Sequence, residues 1–340
     1  MWPSILRLLG LLMCLLLTSP SASEENPALS QQVYEQMTEA QTLLEKKQNT
    51  KAVALLQTLA TQATRNPYET AIVQQALGHA YIALDKLDDA ATAFRASLAS
   101  QGFSPQQARE LEYNLAQILI GAERYAEGAS VLEAWFAQRP EADSQPEVSL
   151  LLAQVYAQLK RYPEVERYIR QAMTQTSEIQ TSKFEDWSQL LLVAYVEQNK
   201  FQQAAAVLKQ LVVQQPDKKT YWLQLSQVYS QAKKERQAAA VLRLAYKMDM
   251  LEEQEILQLV QYYLHLDLPY TAARILEESL AAKTVSQTAT HQDFLITCWL
   301  HAKAYPQAIE VLDRFAKTVS EARAGVLMVR KAEILAQLER

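Results

Sequence analysis

The chain has 340 residues, 49% of them apolar, with 6 Gly, 11 Pro and a formal net charge of −5. Basic and acidic residues are interspersed, so nucleic acid finds no clustered cationic face, and the scarcity of Gly argues against the many tight turns of a sheet-rich fold. Gly-rich or Pro-rich linkers that would mark a joint between two conventional domains are nearly absent.

The first 23 residues read differently from everything after them. Arg7 precedes an apolar run, Leu8 to Leu17, broken only by Gly10 and Cys14, and Ser21-Ala22-Ser23 supplies small residues ahead of Glu24. This is the layout of a cleaved secretory signal peptide, so the mature chain, 24–340, is expected to be exported. The apolar run is about half of the roughly 20 residues that a membrane span needs. Cys14 resembles the lipid-carrying Cys of bacterial lipoproteins, but Met13 stands where that motif wants a small residue. Removal of residues 1–23 leaves Cys298 as the only thiol, so no intramolecular disulfide is available and the apolar core must hold the fold. Within "FLITCWL", Cys298 reads as a buried, inert thiol.

From residue 33 onward the chain repeats. A bulky residue (Leu43, Tyr81, Leu119, Tyr156, Tyr195, Tyr229, Tyr263, Trp299) is followed nine positions later by Ala52, Ala90, Gly128, Val165, Ala204, Ala238, Ala272 or Ala308. Four positions further stands Leu56, Phe94, Leu132, Ile169, Leu208, Leu242, Leu276 or Leu312. Such periodicity belongs to stacked supersecondary units that share a core. Trp222, Leu225, Ser226 and Tyr229 fall on one helical face, Ala238, Leu242 and Ala245 on another, with the polar break "AKKER" between them. Each unit is therefore predicted to be two short amphipathic helices joined by a tight turn. The small residue lets two helix axes approach to roughly 8 Å. Val165 is bulky there, and a looser or shifted pair is expected around Arg161 to Thr174. Pro163, Pro269 and Pro306 stand where second helices begin, and Pro140 and Pro216 where they end.

The layout in Trp222, Leu225, Tyr229, Ala238 and Leu242, and in Leu77, Gly78, Tyr81, Ala90 and Phe94, resembles the tetratricopeptide repeat over about residues 33–340. The resemblance implies an all-α, right-handed superhelical solenoid of about eight helix pairs. Copies longer than the usual repeat are expected to loop out at "RPEADSQPE", "QTSEIQTSKFED" and "AAKTVSQTAT". A last helix at about 323–340, with Leu327, Ala332 and Leu335 in a first-helix pattern, is expected to cap the open end.

No motif for phosphate binding, metalloprotease, serine-hydrolase or thiol-redox chemistry occurs, and the repeats use essentially the whole mature chain. No enzyme activity and no cofactor are expected. His265 and His301 occupy neighbouring repeat positions, while His291 and Asp293 lie two to three turns from His301 on the same helix, too far to converge on one metal.

In tetratricopeptide arrays the first helices line a concave groove, and the positions two before and two after the Leu77-type residue face it. The resemblance carries this onto Gln75, Tyr113, Leu150, Gln189, Leu223 and Leu257 at the earlier position, and Gln117, Gln154, Gln227 and Gln261 at the later, with His265 one turn beyond. Gln offers both donors and an acceptor to an extended peptide backbone, and the Leu residues would take its apolar side chains. The Lys residues with which some family members clamp a terminal carboxylate are missing. Other envelope proteins or peptides are the expected partners. Residues 222–280, with Pro269 ahead of Tyr270-Thr271-Ala272-Ala273, resemble exported bacterial tetratricopeptide accessory proteins of TonB energy-transducing systems. A scaffold for cell-wall or outer-membrane assembly, unrelated to TonB, is the alternative.

Overall fold

The computed structural model describes residues 29–62, 66–138, 145–176 and 181–338. The expected signal peptide, Cys14 and Pro140 lie outside these, as does part of the expected loops at 139–147 and 175–186. Among the described residues there are helices and turns but no strand, and no helix is long and apolar enough to cross a membrane.

The chain forms two compact units, 1–190 and 191–340. The first holds α1 (Gln31–Glu45), α2 (Asn49–Gln62), α3 (Pro67–Ile82), α4 (Leu87–Ala99), α5 (Pro105–Gly121), α6 (Tyr125–Ala137), α7 (Pro146–Gln158) and α8 (Tyr162–Gln175). The boundary falls within α9 (Thr181–Glu197). The second unit continues with α10 (Phe201–Gln214), α11 (Lys219–Gln231), α12 (Glu235–Lys247), α13 (Glu253–His265), α14 (Pro269–Ala281), α15 (Ala289–His301), α16 (Tyr305–Ala316) and α17 (Glu321–Leu338). From α1 to α8, and again from α10 to α17, each helix packs on the next along the chain, the arrangement of a helix-turn-helix solenoid.

The constant spacing of nine has a local cause. In all eight pairs the second helix starts six residues after the bulky residue, so the small residue is always the fourth of that helix. The turn between them is one repeated structure. The N–H five residues beyond the bulky residue donates to that residue's carbonyl at 2.8 to 3.0 Å, for example Arg124 to Leu119 and Lys234 to Tyr229. The residue just before the donor adopts a left-handed conformation, with φ between 55° and 60° at Lys47, Asp85, Glu123, Lys160, Asn199, Lys233, Asp267 and Lys303. This is a Schellman end, in which carbonyls of the last turn find donors. None of the eight is Gly, although Gly adopts this conformation at the least steric cost.

Packing follows from that register. The small residues are buried, seven of them completely, as are Leu56, Phe94, Leu132, Ile169, Leu208, Leu276 and Leu312 four positions on. Gly78 is needed by its own pair, because a Cβ there would come within 2.3 Å of the buried Phe94 ring. Gly102, in the link from α4 to α5, lies so close to the Pro67 carbonyl that a Cβ would approach its oxygen to 2.1 Å. Two hydroxyls in the core find backbone partners on a neighbouring helix: that of Ser97 donates to the Ala71 carbonyl at 2.7 Å, and that of Ser226 to the Ala238 carbonyl at 3.1 Å. First helices begin with side-chain caps at Asn66, Ser104, Glu252 and Thr288, and Pro163, Pro269 and Pro306 open second helices.

The looser pair expected around Val165 is not found. Val165 is fully buried, and α7 and α8 meet along as much of their length as other pairs. The equivalent position in α6, Gly128, would bring a Cβ to 2.7 Å from the Ile120 side chain. The residue that stands at the Ile120 position in α7 is Ala157. The bulk has moved from the first helix to the second, so the pair fills the same space without separating.

Candidate peptide-binding face

The positions read from the sequence as a binding row are all open to solvent to some degree. In the first unit, Gln75 on α3, Tyr113 on α5, Leu150 and Gln154 on α7 and Gln189 on α9 are partly exposed, and Gln117 on α5 is exposed. In the second unit, Leu223 on α11 and Leu257 on α13 are partly exposed, while Gln227, Gln261 and His265 are exposed. On α5, α7, α11 and α13 the two positions lie one helical turn apart.

Tyr113 and Gln117 are joined directly, by a hydrogen bond between their side chains; burial pushes the Tyr113 hydroxyl above its ordinary value, which that bond partly offsets. Sequence reading missed what surrounds them. The Trp135 ring of α6 lies 4.8 Å from the Tyr113 ring, and the Arg109 guanidinium sits 5.1 Å from the centre of the Trp135 ring. Trp135 Nε1 donates to the Arg109 carbonyl at 2.8 Å, and Arg109 Nη1 to that of Gln138 at 3.0 Å. An aromatic on the second helix was the available signal, since Trp135 stands three residues beyond the core Leu132. This cluster gives α5 a cationic-aromatic border.

The last first-helix position is taken. Asp293 on α15 pairs with Arg323 and, at 3.9 Å, with Arg330, both from α17. Cys298 is fully buried, and that burial pushes its thiol up to about 12, too high for a nucleophile at neutral pH. His301 is exposed like His265, and among the described residues no three His, Cys, Asp or Glu side chains are placed to hold a metal ion.

Stacked helix pairs with uniform turns and an open row on their first helices define a helical repeat solenoid. Residues 76–143, 113–173 and 191–252 match the family model described as Tetratricopeptide repeat. Among solved structures the chain is similar to a tetratricopeptide repeat protein from Parabacteroides merdae, at 12% identity over 79% of this chain and 99% of that one, with a TM-score of 0.42. The C-terminal part of a repeat protein from Cytophaga hutchinsonii shows 13% identity over 76% and 98%, with a TM-score of 0.42. YrrB, described as a protein of this repeat class with an unusual peptide-binding site, shows 14% identity over 52% and 85%, with a TM-score of 0.38. A search of curated proteins finds no match.

Proposed function

We propose that this protein is an exported, periplasmic interaction scaffold without catalysis of its own, that it takes extended peptide segments on the open side of its first helices, and that it serves as an accessory component of a TonB-dependent transport system. One observation carries the binding mode. The same doublet, an apolar residue and a Gln one turn later, recurs at the same two positions of four first helices: Tyr113 and Gln117, Leu150 and Gln154, Leu223 and Gln227, Leu257 and Gln261. Each doublet offers an apolar contact beside a donor–acceptor amide, the pairing that an extended chain with alternating side chains uses. No Lys stands at these positions, so a charged terminus is not the expected ligand. Export rests on the pattern of residues 1–23, and the TonB association on the resemblance of residues 222–280.

The test is chemical cross-linking in the native host, followed by recovery of this protein from the cell envelope. Energy-transducing proteins of the inner membrane are expected among the adducts. Wall-synthesis enzymes or outer-membrane assembly factors alone would overturn the TonB assignment in favour of an assembly scaffold. N-terminal sequencing of the recovered chain is expected to begin at Glu24; an intact Met1 would contradict export by cleavage.

A further inference from the structure

Of the eight helix pairs, two place an aromatic residue three positions after the core residue of the second helix: Trp135 in α6 and Phe315 in α16. In α5–α6 that ring is covered. Arg109, ten positions before the bulky Leu119, holds its guanidinium 5.1 Å from the centre of the Trp135 ring and donates from Nη1 to the Gln138 carbonyl at 3.0 Å. Counted from Trp299, the same three positions in α15–α16 are Ala289, Phe315 and Thr318. The ring and the carbonyl recur, and the guanidinium does not.

A cavity of about 420 Å³ stands at that place, within the unit 191–340. Ala289, Phe315 and Thr318 all line it, together with Glu277 and Leu280 of α14 and Arg314 of α16. Its volume falls in the range of small-ligand sites. Ala289 ends at Cβ where Arg109 carries a long side chain, so the space beside the ring stays open. The polar groups around it suit a planar cation. Glu277 Oε1 accepts from Arg314 Nη2 at 2.9 Å, while neither Glu277 Oε2 nor the Thr318 carbonyl accepts a hydrogen bond from any described residue. A carboxylate shared by two guanidinium groups already occurs in this chain, where Glu127 accepts from both Arg95 and Arg124. Buried Leu280 adds an apolar wall for a methylene stem.

We propose that this cavity binds the guanidinium of an arginine side chain presented by a partner polypeptide. The ligand takes the place that Arg109 fills in α5–α6: its plane meets the Phe315 ring, and its N–H groups reach the Thr318 carbonyl and the open oxygen of Glu277. A guanidinium serves a ring, a carbonyl and a carboxylate at once through its planar fork, which the compact ammonium of Lys does not. Charge also separates the sources of that group. Arg314 is the one cation lining the cavity and Glu277 already holds it, so the α-carboxylate of a free amino acid finds no counter-ion, whereas a residue within a chain brings no such charge. No residue of the Gln row lines this cavity, so either site can be lost without the other.

NMR titration of the full chain with N-acetyl-arginine amide tests this. Saturable shifts are expected at the backbone amides of Ala289 and Thr318, and none with N-acetyl-citrulline amide, which keeps the shape without the charge. Ala289→Arg is expected to abolish the response with melting unchanged or raised, because the chain then fills the cavity as α5–α6 does. Glu277→Gln is expected to weaken binding about tenfold, for one charge-assisted hydrogen bond. A wild-type chain without a saturable response, an equal response to the citrulline amide, a response that survives Ala289→Arg, or unchanged affinity in Glu277→Gln would overturn the proposal. Tighter binding of free arginine than of the blocked amide would overturn a polypeptide as the source of the group.

Discussion

The pairs α5–α6 and α7–α8 have the same turn, the same start to the second helix and the same depth of burial, yet they distribute their bulk in opposite ways. In α5–α6 the large side chain belongs to the first helix, Ile120, and the second helix gives way with Gly128. In α7–α8 the first helix gives way with Ala157, and Val165 of the second is fully buried. Most other pairs follow the α5–α6 side of the comparison, with Leu44 and Ala52, Ile82 and Ala90, Val196 and Ala204, Leu264 and Ala272, and Leu300 and Ala308. What the repeat keeps fixed is the space shared by two facing positions, and either helix can fill it.

The sharpest way to break this comparison is to give α6 the residue of α8. Gly128→Val is expected to destabilise the protein by about 3 kcal/mol in chemical denaturation, because its side chain must enter space that Ile120 occupies. In an Ile120→Ala background most of that loss is expected to vanish, a coupling of about 2 kcal/mol; additive effects would show that the two positions do not share a space. The converse change removes bulk from α8: Val165→Ala is expected to cost about 2 kcal/mol, for two lost methyl groups and the cavity left behind.

Smaller effects sharpen the comparison by testing what the two pairs have in common. Glu123 and Lys160 occupy the left-handed position of the same turn, with φ of 60° and 55°. Replacing either with Gly is expected to stabilise by roughly 0.5 to 1 kcal/mol, equally in both pairs, read as a shift in denaturation midpoint. An unequal response would mean that the turns are held by different forces.

The smallest expected difference is electrostatic. Both second helices carry a Glu three residues after an Arg, Glu127 after Arg124 and Glu164 after Arg161. Hydrogen bonds from Arg124 and Arg95 hold the Glu127 carboxyl down to about 2. Burial pushes Glu164 up, but its bond from Arg161 still leaves it below the ordinary carboxylate value. A carboxylate lowered on folding stabilises above its unfolded value and loses that contribution as pH falls through the folded one. Carboxyl titration by NMR is expected to place the Glu127 midpoint near 2; a midpoint in the ordinary carboxylate range would mean that the ion pairs dissolve in water.

Much of this fold was legible in the sequence, because the spacing of nine is the length of a Schellman end plus the first turn of a helix. The turn's left-handed residue was not legible, since Lys, Asp, Glu and Asn stand where Gly would have announced it. Val165 misled because a single position was judged without the residue facing it. The row of Gln75, Gln154, Gln227 and Gln261 was found by carrying a family geometry onto the chain, and the structure leaves those residues open without showing what they hold. Arg109 and Trp135 escaped notice because their contact joins two helices whose facing residues periodicity alone does not pair.

The separation between residues that pack and residues that bind is tested most directly by replacing Gln154, Gln227 and Gln261 together with Ala, and following melting and envelope cross-linking on the same variant. Unchanged helical content and melting, with loss of the partner adducts seen for the wild-type chain, are the predicted result. Retained adducts, or a chain that melts early, would contradict a binding row set apart from the core.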